Sequence, residues 1–286
     1  MLEAAVVVDD RSARPVSAAG TRFWKLTGSG NDFVFFDARD GTQGLDSVEA
    51  VRALSARGTG VGADGVVFLE RSPTSSVRIR YFNSDGSPAE LCGNATLCTA
   101  RLAATLGAAD PAGMTIETAA GVIAARVVGA DPEIDFAPVT MVRPVEPSVS
   151  PQAGEHRVGY ANTGVPHLVV LVPDLDAIDV VRRGRELRHS PDLPGGANVN
   201  FVARTPAGWA MRTYERGVEG ETLACGTGAV ATGLLLSIWG EASLPVTLKT
   251  RSGRLVTISA TRDSDSWHPT LRGEGRIVFE GLLPAL

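Results

Sequence analysis

Short apolar runs broken by turn residues set the rhythm of this chain. FVFFDA, GVVFLE, SVRIRYFN, MTIETA and GVIAARVV are continuous or alternating apolar stretches bounded by Gly, Asp, Asn and Ser, the pattern of β-strands. After Cys92 the pattern changes to one longer apolar segment, which predicts a buried helix. The second half repeats the order, with HLVVLV, ANVNFVAR and WAMRTYE, an apolar helix after Cys225, then VTLKTR and RLVTISA. Many strands around one apolar helix predict an α+β unit, a sheet curled about that helix.

The two halves are copies. LCGNATLCTARLAATLG resembles ACGTGAVATGLLLSIWG, and in each a glycine (Gly107, Gly240) stands 15 residues after the cysteine. TIETAAGVIAARV matches TLKTRSGRLVTIS, GADGVVFLE matches GANVNFVAR, and TGSGNDFVFFD matches TGVPHLVVLVPD more loosely. Four segments keep their order and nearly their spacing across an offset of 133 residues, too long for a solenoid repeat. The chain therefore reads as two pseudo-symmetric lobes joined by the Pro-rich stretch 137–151. The expected division is a flexible N-terminal extension over 1–21, a lobe of 22–135 plus 270–286 carrying Cys92, and a lobe of 136–269 carrying Cys225.

Charge and composition remove several function classes. A net charge of −5 argues against general nucleic-acid binding, which needs clustered cations. The longest apolar runs fall short of the ~20 residues of a membrane span, and Asp9 and Asp10 break the early apolar stretch where a secretion signal would need to continue. Three cysteines without CxxC clustering, and four scattered histidines (His156, His167, His189, His268), predict free thiols, no metal site and a reducing cytoplasm. The lysines are Lys25 and Lys249 alone, a poor supply for pyridoxal chemistry. GSGND is too short and wrongly placed for a phosphate loop, so no cofactor is expected.

Each half carries a loop of turn residues (NSDGSPAEL, ERGVEGETLA) that ends at Cys-Gly where a helix begins. That placement predicts thiols with lowered pKa, because helix-start N–H groups and the macrodipole favour negative charge. The same N–H groups suit a substrate carboxylate. A lone cysteine at a helix start is more often a small buried residue than a catalyst. Two at matched positions of a duplication point instead to inversion at a carbon, one thiolate removing the α-hydrogen and the opposite thiol returning a proton. Cys98, among apolar neighbours inside the first helix, reads as core.

The segments KLTGSGNDFVFFD, GVGADGVVF, FNSDGSPAELCGN, TGVPHLV, GANVNFV and YERGVEGETLACGTGA resemble, in order, the signatures of the diaminopimelate epimerase family. The resemblance implies two lobes, each a barrel-like and mostly antiparallel sheet around a central helix, in a cofactor-independent isomerase that interconverts LL- and meso-diaminopimelate for lysine and peptidoglycan precursors. It implies Cys92 and Cys225 as the acid/base pair, with Cys92 the base in the LL-to-meso direction. It implies further that Gly93, Asn94, Gly226 and Thr227 hold the reacting carboxylate, that Asn31, Asn83 and Asn198 help hold the substrate, and that Glu215 and Arg216 take its unreactive end. His167 either supports a cysteine or fixes a loop. Family members are often dimers, so a homodimer is implied. The sequence departs from the family at Val165, where an asparagine often contacts the distal end, at Ala95-Thr96-Leu97, and in the lengthened loop before Cys225. A racemase of histidine, proline or glutamate with the same thiol pair is the alternative.

Overall fold

The computed structural model describes residues 19–89 and 92–284, so most of the expected extension over 1–21 lies outside the described residues. The first half runs β1 (Arg22–Gly28), β2 (Asn31–Asp37), α1 (Val48–Ser55), β3 (Gly65–Glu70), β4 (Val77–Asn83), β5 (Pro88–Ala89), α2 (Gly93–Thr105), β6 (Met114–Thr118), β7 (Gly121–Val128) and β8 (Asp131–Asp135). The second runs β9 (Val142–Arg143), β10 (Arg157–Asn162), β11 (Pro166–Leu171), α3 (Val180–Arg188), β12 (Asn198–Thr205), β13 (Gly208–Glu215), β14 (Gly220–Thr222), α4 (Gly226–Ile238), β15 (Val246–Lys249), β16 (Leu255–Arg262) and β17 (Trp267–Gly273). A last strand, β18 (Arg276–Leu282), closes the order.

Strand pairing displays the duplication. In the first half β1 pairs with β2, β2 with β3, β3 with β4, β4 with β6, β6 with β7 and β7 with β8. In the second half β10 to β13 and β15 to β17 pair in the same sequence. Even the parallel steps match: β2–β3 with β11–β12, and β4–β6 with β13–β15. The other pairings are antiparallel. β8 meets β17 antiparallel, fusing both curled sheets into one of 18 strands. β9 completes the second half against β10, and β18 takes the equivalent place against β1. We propose a division of the lobes between β17 and β18, near Glu274, because β17 runs without a break through residue 270.

Each sheet wraps its own helix. α2 touches β1, β3, β4, β6, β7, β8 and β18, while α4 touches β10, β11, β12, β15, β16 and β17. α4 is apolar all round, with Val230, Leu234, Leu235 and Leu236 fully buried, as a helix enclosed by a sheet must be. Each such leucine contributes roughly 1.5–3 kcal/mol by leaving water.

Two helices lie outside the expected pattern of a single helix per half. α1 rests on β3, capped by the Ser47 hydroxyl accepting from the Ala50 N–H at 3.2 Å, and α3 rests on β12 and β13, capped by Asp179. Both are short and amphipathic. The buried positions are Ala50, Val51, Leu54 and Ser55 of α1 and Val180, Arg183, Gly184 and Leu187 of α3, so each helix buries few apolar residues and carries a weak apolar signal.

Candidate functional site: two thiols at facing helix starts

Cys92 and Cys225 occupy the residue before the first helical turn with nearly the same backbone, φ −137° and ψ 114° against φ −135° and ψ 109°. Neither helix has a side-chain cap, and the leading N–H groups of Asn94 and Ala95 in α2 and of Gly228 in α4 act on the thiols instead. α2 and α4 touch, and a charge on Cys92 raises the pKa of Cys225, so the thiols sense one another across the junction. Both residues are half-buried and neither is in a disulfide.

Both thiol pKa values are raised, against the expectation that the helix starts lower them. Burial pushes Cys92 up to about 11, against the lowering effect of the Ala95 and Asn94 N–H groups. Burial likewise pushes Cys225 up to about 12, helped by the Glu215 carboxylate and opposed by the Thr227 hydroxyl and the Gly228 N–H. The helix starts act in the expected direction but lose. A helix dipole contributes about 0.3–1 kcal/mol, whereas full desolvation moves a group by up to ~3–5 pKa units.

Several expected binding residues gather at these helix starts. The Asn94 amide donates to Asn31 Oδ1 at 2.7 Å, and Asn31 donates to Asp64 Oδ2 at 3.0 Å. On the other side Cys225 Sγ lies 3.4 Å from Thr227 Oγ1, and the Thr163 hydroxyl donates to the Thr227 carbonyl at 3.0 Å, tying the TGVP turn to α4. Asn198 is buried and accepts from the Arg216 N–H at 2.8 Å. Arg216 donates to the Gly195 carbonyl at 3.1 Å, while Glu215, half-buried with its pKa raised by burial, raises both thiols. Glu215 thus faces the cysteines while Arg216 turns to the 190s loop. Asn83 spends its amide on Ser87 Oγ at 3.0 Å, inside its own hairpin.

The lobes also touch beside the thiols. Ser252 Oγ donates to the Ser29 carbonyl at 2.6 Å, and Gly30, at φ +118°, lies where a Cβ would come within 2.7 Å of the Ser252 Cβ. Only glycine fits that approach.

Tyr81 and Asp64 were not singled out from sequence. The Tyr81 hydroxyl is shifted upward by burial and by charges on Cys92, Asp64 and Glu215, which places it in the same cluster. A signal for Asp64 existed: in the repeat GADG/GANV it stands where the second half has Asn198.

His167 is fully buried, and its pKa falls to about 3 through burial and the nearby Arg216 charge. The unfolded chain binds a proton near pH 6.5 that the folded chain refuses, so this contribution to stability is complete above 6.5 and is lost as pH falls. The expected slope is about 1.4 kcal/mol per pH unit between 6.5 and 3. Urea unfolding at pH 7 and pH 5 should show a steeper loss in wild type than in His167→Gln; equal losses would refute the assignment.

Among the described residues no group of His, Cys, Asp and Glu is arranged to hold a metal ion. A groove of about 990 Å³ lies elsewhere, lined by Arg204, Trp209, Leu244 and Pro245, and contains none of these site residues.

This two-lobed fold is shared with a phenazine biosynthesis protein of the PhzF family from Bacillus anthracis (TM-score 0.71, 17% identity, 91% of this chain and 98% of that one). It is shared also with a hydroxyproline epimerase from Agrobacterium vitis with bound trans-4-OH-L-proline (TM-score 0.62, 18% identity, 91% of each chain). Those likenesses define the fold class. The diaminopimelate epimerase model matches residues 23–142 and 159–271, and the chain belongs to that family. The diaminopimelate epimerase of Gemmatimonas aurantiaca is 49% identical over 92% of this chain and 99% of its own length. That of Aquifex aeolicus is 41% identical over 91% and 97%.

Proposed function

We propose that this isomerase epimerises LL-diaminopimelate to meso-diaminopimelate without a cofactor, using Cys92 and Cys225 as the acid/base pair. The observation that carries the reading is the placement of two electrostatically coupled thiols, each at the start of the equivalent helix of a duplicated lobe. Cys92 Sγ, as thiolate, takes the α-hydrogen as a proton, and the electron pair delocalises into the substrate carboxylate. The Cys225 thiol then delivers its proton to the opposite face and becomes the thiolate. The raised thiol pKa values make the Cys92 thiolate a stronger base but a scarcer one near neutral pH, so turnover is carried by the fraction of enzyme that holds one thiolate. Two like groups also resist double ionisation, which supports the single-thiolate state. The backbone N–H groups at Gly93, Asn94, Gly226 and Thr227 hold the carboxylate where charge develops. Asn31, Asn83 and Asn198 border the substrate, Asn83 being held in its hairpin by Ser87.

Glu215 and Arg216 take the distal ammonium and carboxylate, with Val165 contributing only apolar surface there. Arg216→Met is expected to raise KM for diaminopimelate about 10- to 100-fold with little change in kcat, as loss of a charged hydrogen bond costs about 1.5–3 kcal/mol. Steady-state kinetics checks it; an unchanged KM removes Arg216 from the site.

The reaction itself is tested by α-hydrogen exchange in deuterated water, with LL-diaminopimelate set against histidine, proline and glutamate. Exchange with the single-centre amino acids alone would establish the other racemase reading. We place the enzyme in the cytoplasm, as a homodimer within lysine and peptidoglycan precursor synthesis. Free cysteines support that compartment, and no helix among the described residues is long and apolar enough to cross a membrane.

A further inference from the structure

Asn200 is a polar residue in the middle of an apolar strand, and no role described so far uses it. It is fully buried on β12, next to Val169 of β11 in register and directly opposite Thr213 of β13. Its counterpart in the first half is Val66. A buried amide is costly where valine would serve, unless its hydrogen bonds do something specific.

Those bonds fix the amide's orientation. The Thr213 hydroxyl donates to Asn200 Oδ1 at 2.9 Å, and Asn200 Nδ2 donates to the Leu168 carbonyl at 2.9 Å. A carbonyl accepts only, so the nitrogen must be on that side. Nδ2 lies also 3.1 Å from His167 Nδ1, and its remaining N–H can only donate there. Nδ1 is therefore an acceptor, and the imidazole proton sits on Nε2. That nitrogen is buried and has no hydrogen-bond partner among the described residues. The amide also abuts the reacting helix: a Cβ placed on Gly228 would lie 2.2 Å from Asn200 Oδ1 and 3.3 Å from Cys225 Sγ.

We propose that Asn200, braced by Thr213, is a positioning residue that locks His167 as the tautomer carrying its proton on Nε2, so that the imidazole is a fixed hydrogen-bond donor beside the Cys225 half of the site and exchanges no proton during turnover. The lock rests on the epimerase reading for its consequence in catalysis, but its geometry stands without it. It separates two duties that a histidine near a thiol would otherwise mix. With Nδ1 occupied and Nε2 protonated, His167 has no lone pair free to accept a proton.

Nitrogen-15 NMR of histidine-labelled protein reads the tautomer directly, independently of activity. The His167 signal is identified by its absence from His167→Gln. In wild type it is expected to show a protonated Nε2 and an unprotonated Nδ1 from pH 6 to 9. Asn200→Asp replaces the donor with an acceptor and is expected to move the proton to Nδ1. Asn200→Ala is expected to populate both tautomers and to lower kcat about tenfold or more with KM nearly unchanged. Thr213→Ser, which keeps the hydroxyl, should preserve tautomer and rate. A wild-type proton on Nδ1, or a tautomer unaltered in a folded Asn200→Asp protein, overturns the proposal. The epimerase reading fails separately, if wild type with the expected tautomer does not exchange the α-hydrogen of LL-diaminopimelate.

Discussion

Replacing Cys92 or Cys225 by alanine is expected to lower epimerisation by at least about a thousandfold while leaving the fold nearly as stable. General acid–base catalysis contributes roughly 10²–10⁴-fold for each positioned group, and inversion needs both groups in one turnover. Losing either thiol therefore stops the same event, and the double variant should be scarcely worse than either single one. Folding is largely spared because neither cysteine side chain caps its helix, and alanine gives up only the Cys225 Sγ–Thr227 Oγ1 contact and the weak thiol contacts with the first N–H groups. Cys98→Ala is the internal control. That sulfur is fully buried in α2 and should cost some stability as a small cavity, with activity retained. Chiral chromatography of the diaminopimelate isomers, with thermal unfolding alongside, checks all four variants. An active Cys92→Ala or Cys225→Ala enzyme would end the two-thiol mechanism.

The sequence disclosed the site's symmetry better than its electrostatics. The spacing of Cys92 and Cys225 within repeated segments was enough to anticipate two equivalent helices starting at thiols, because a duplication preserves order even where residues diverge. Asn198 is a candidate through the family resemblance, whereas Asp64, which the repeat puts in the matching place, is not. The first half differs there in its charges. Asp32 is held by Lys25 at 2.7 Å and by Arg57 at 2.6 Å, a charged network on the first-half side with no counterpart motif in the second. The direction of the thiol shifts was not legible at all. A helix start can be read from Cys-Gly in one dimension, but desolvation depends on what the other lobe lays over the sulfur. Tyr81 and Glu215 meet the thiols only after the strands have curled, and Glu215 comes from the opposite half to Cys92.

Gly228→Ala is expected to abolish most activity, at least about a hundredfold in kcat/KM, while changing stability by no more than about 1–2 kcal/mol. Two opposing effects set the stability figure. Alanine is favoured over glycine inside a helix by about 1 kcal/mol, and overpacking a tight site costs about 1–3 kcal/mol. The overpacking is local: the new Cβ would lie 2.2 Å from Asn200 Oδ1 and 3.1 Å from its Cγ. Asn200 cannot turn aside, since Thr213, Leu168 and His167 hold it from three directions. The start of α4 must move instead, carrying Cys225 and the N–H groups around Gly226 with it. A displacement of about 1 Å at a reacting group costs on the order of a hundredfold, so the loss falls on catalysis and not on folding. The first half supplies the comparison. There the matched residues are Ala95 and Val66, so where no amide lies beneath the helix, the helix carries a Cβ. Adding Asn200→Ala to Gly228→Ala should therefore recover stability by restoring room, though the loss of the imidazole lock keeps the double variant slow. A Gly228→Ala enzyme with near-normal kcat/KM would mean that α4 need not be held where Asn200 puts it.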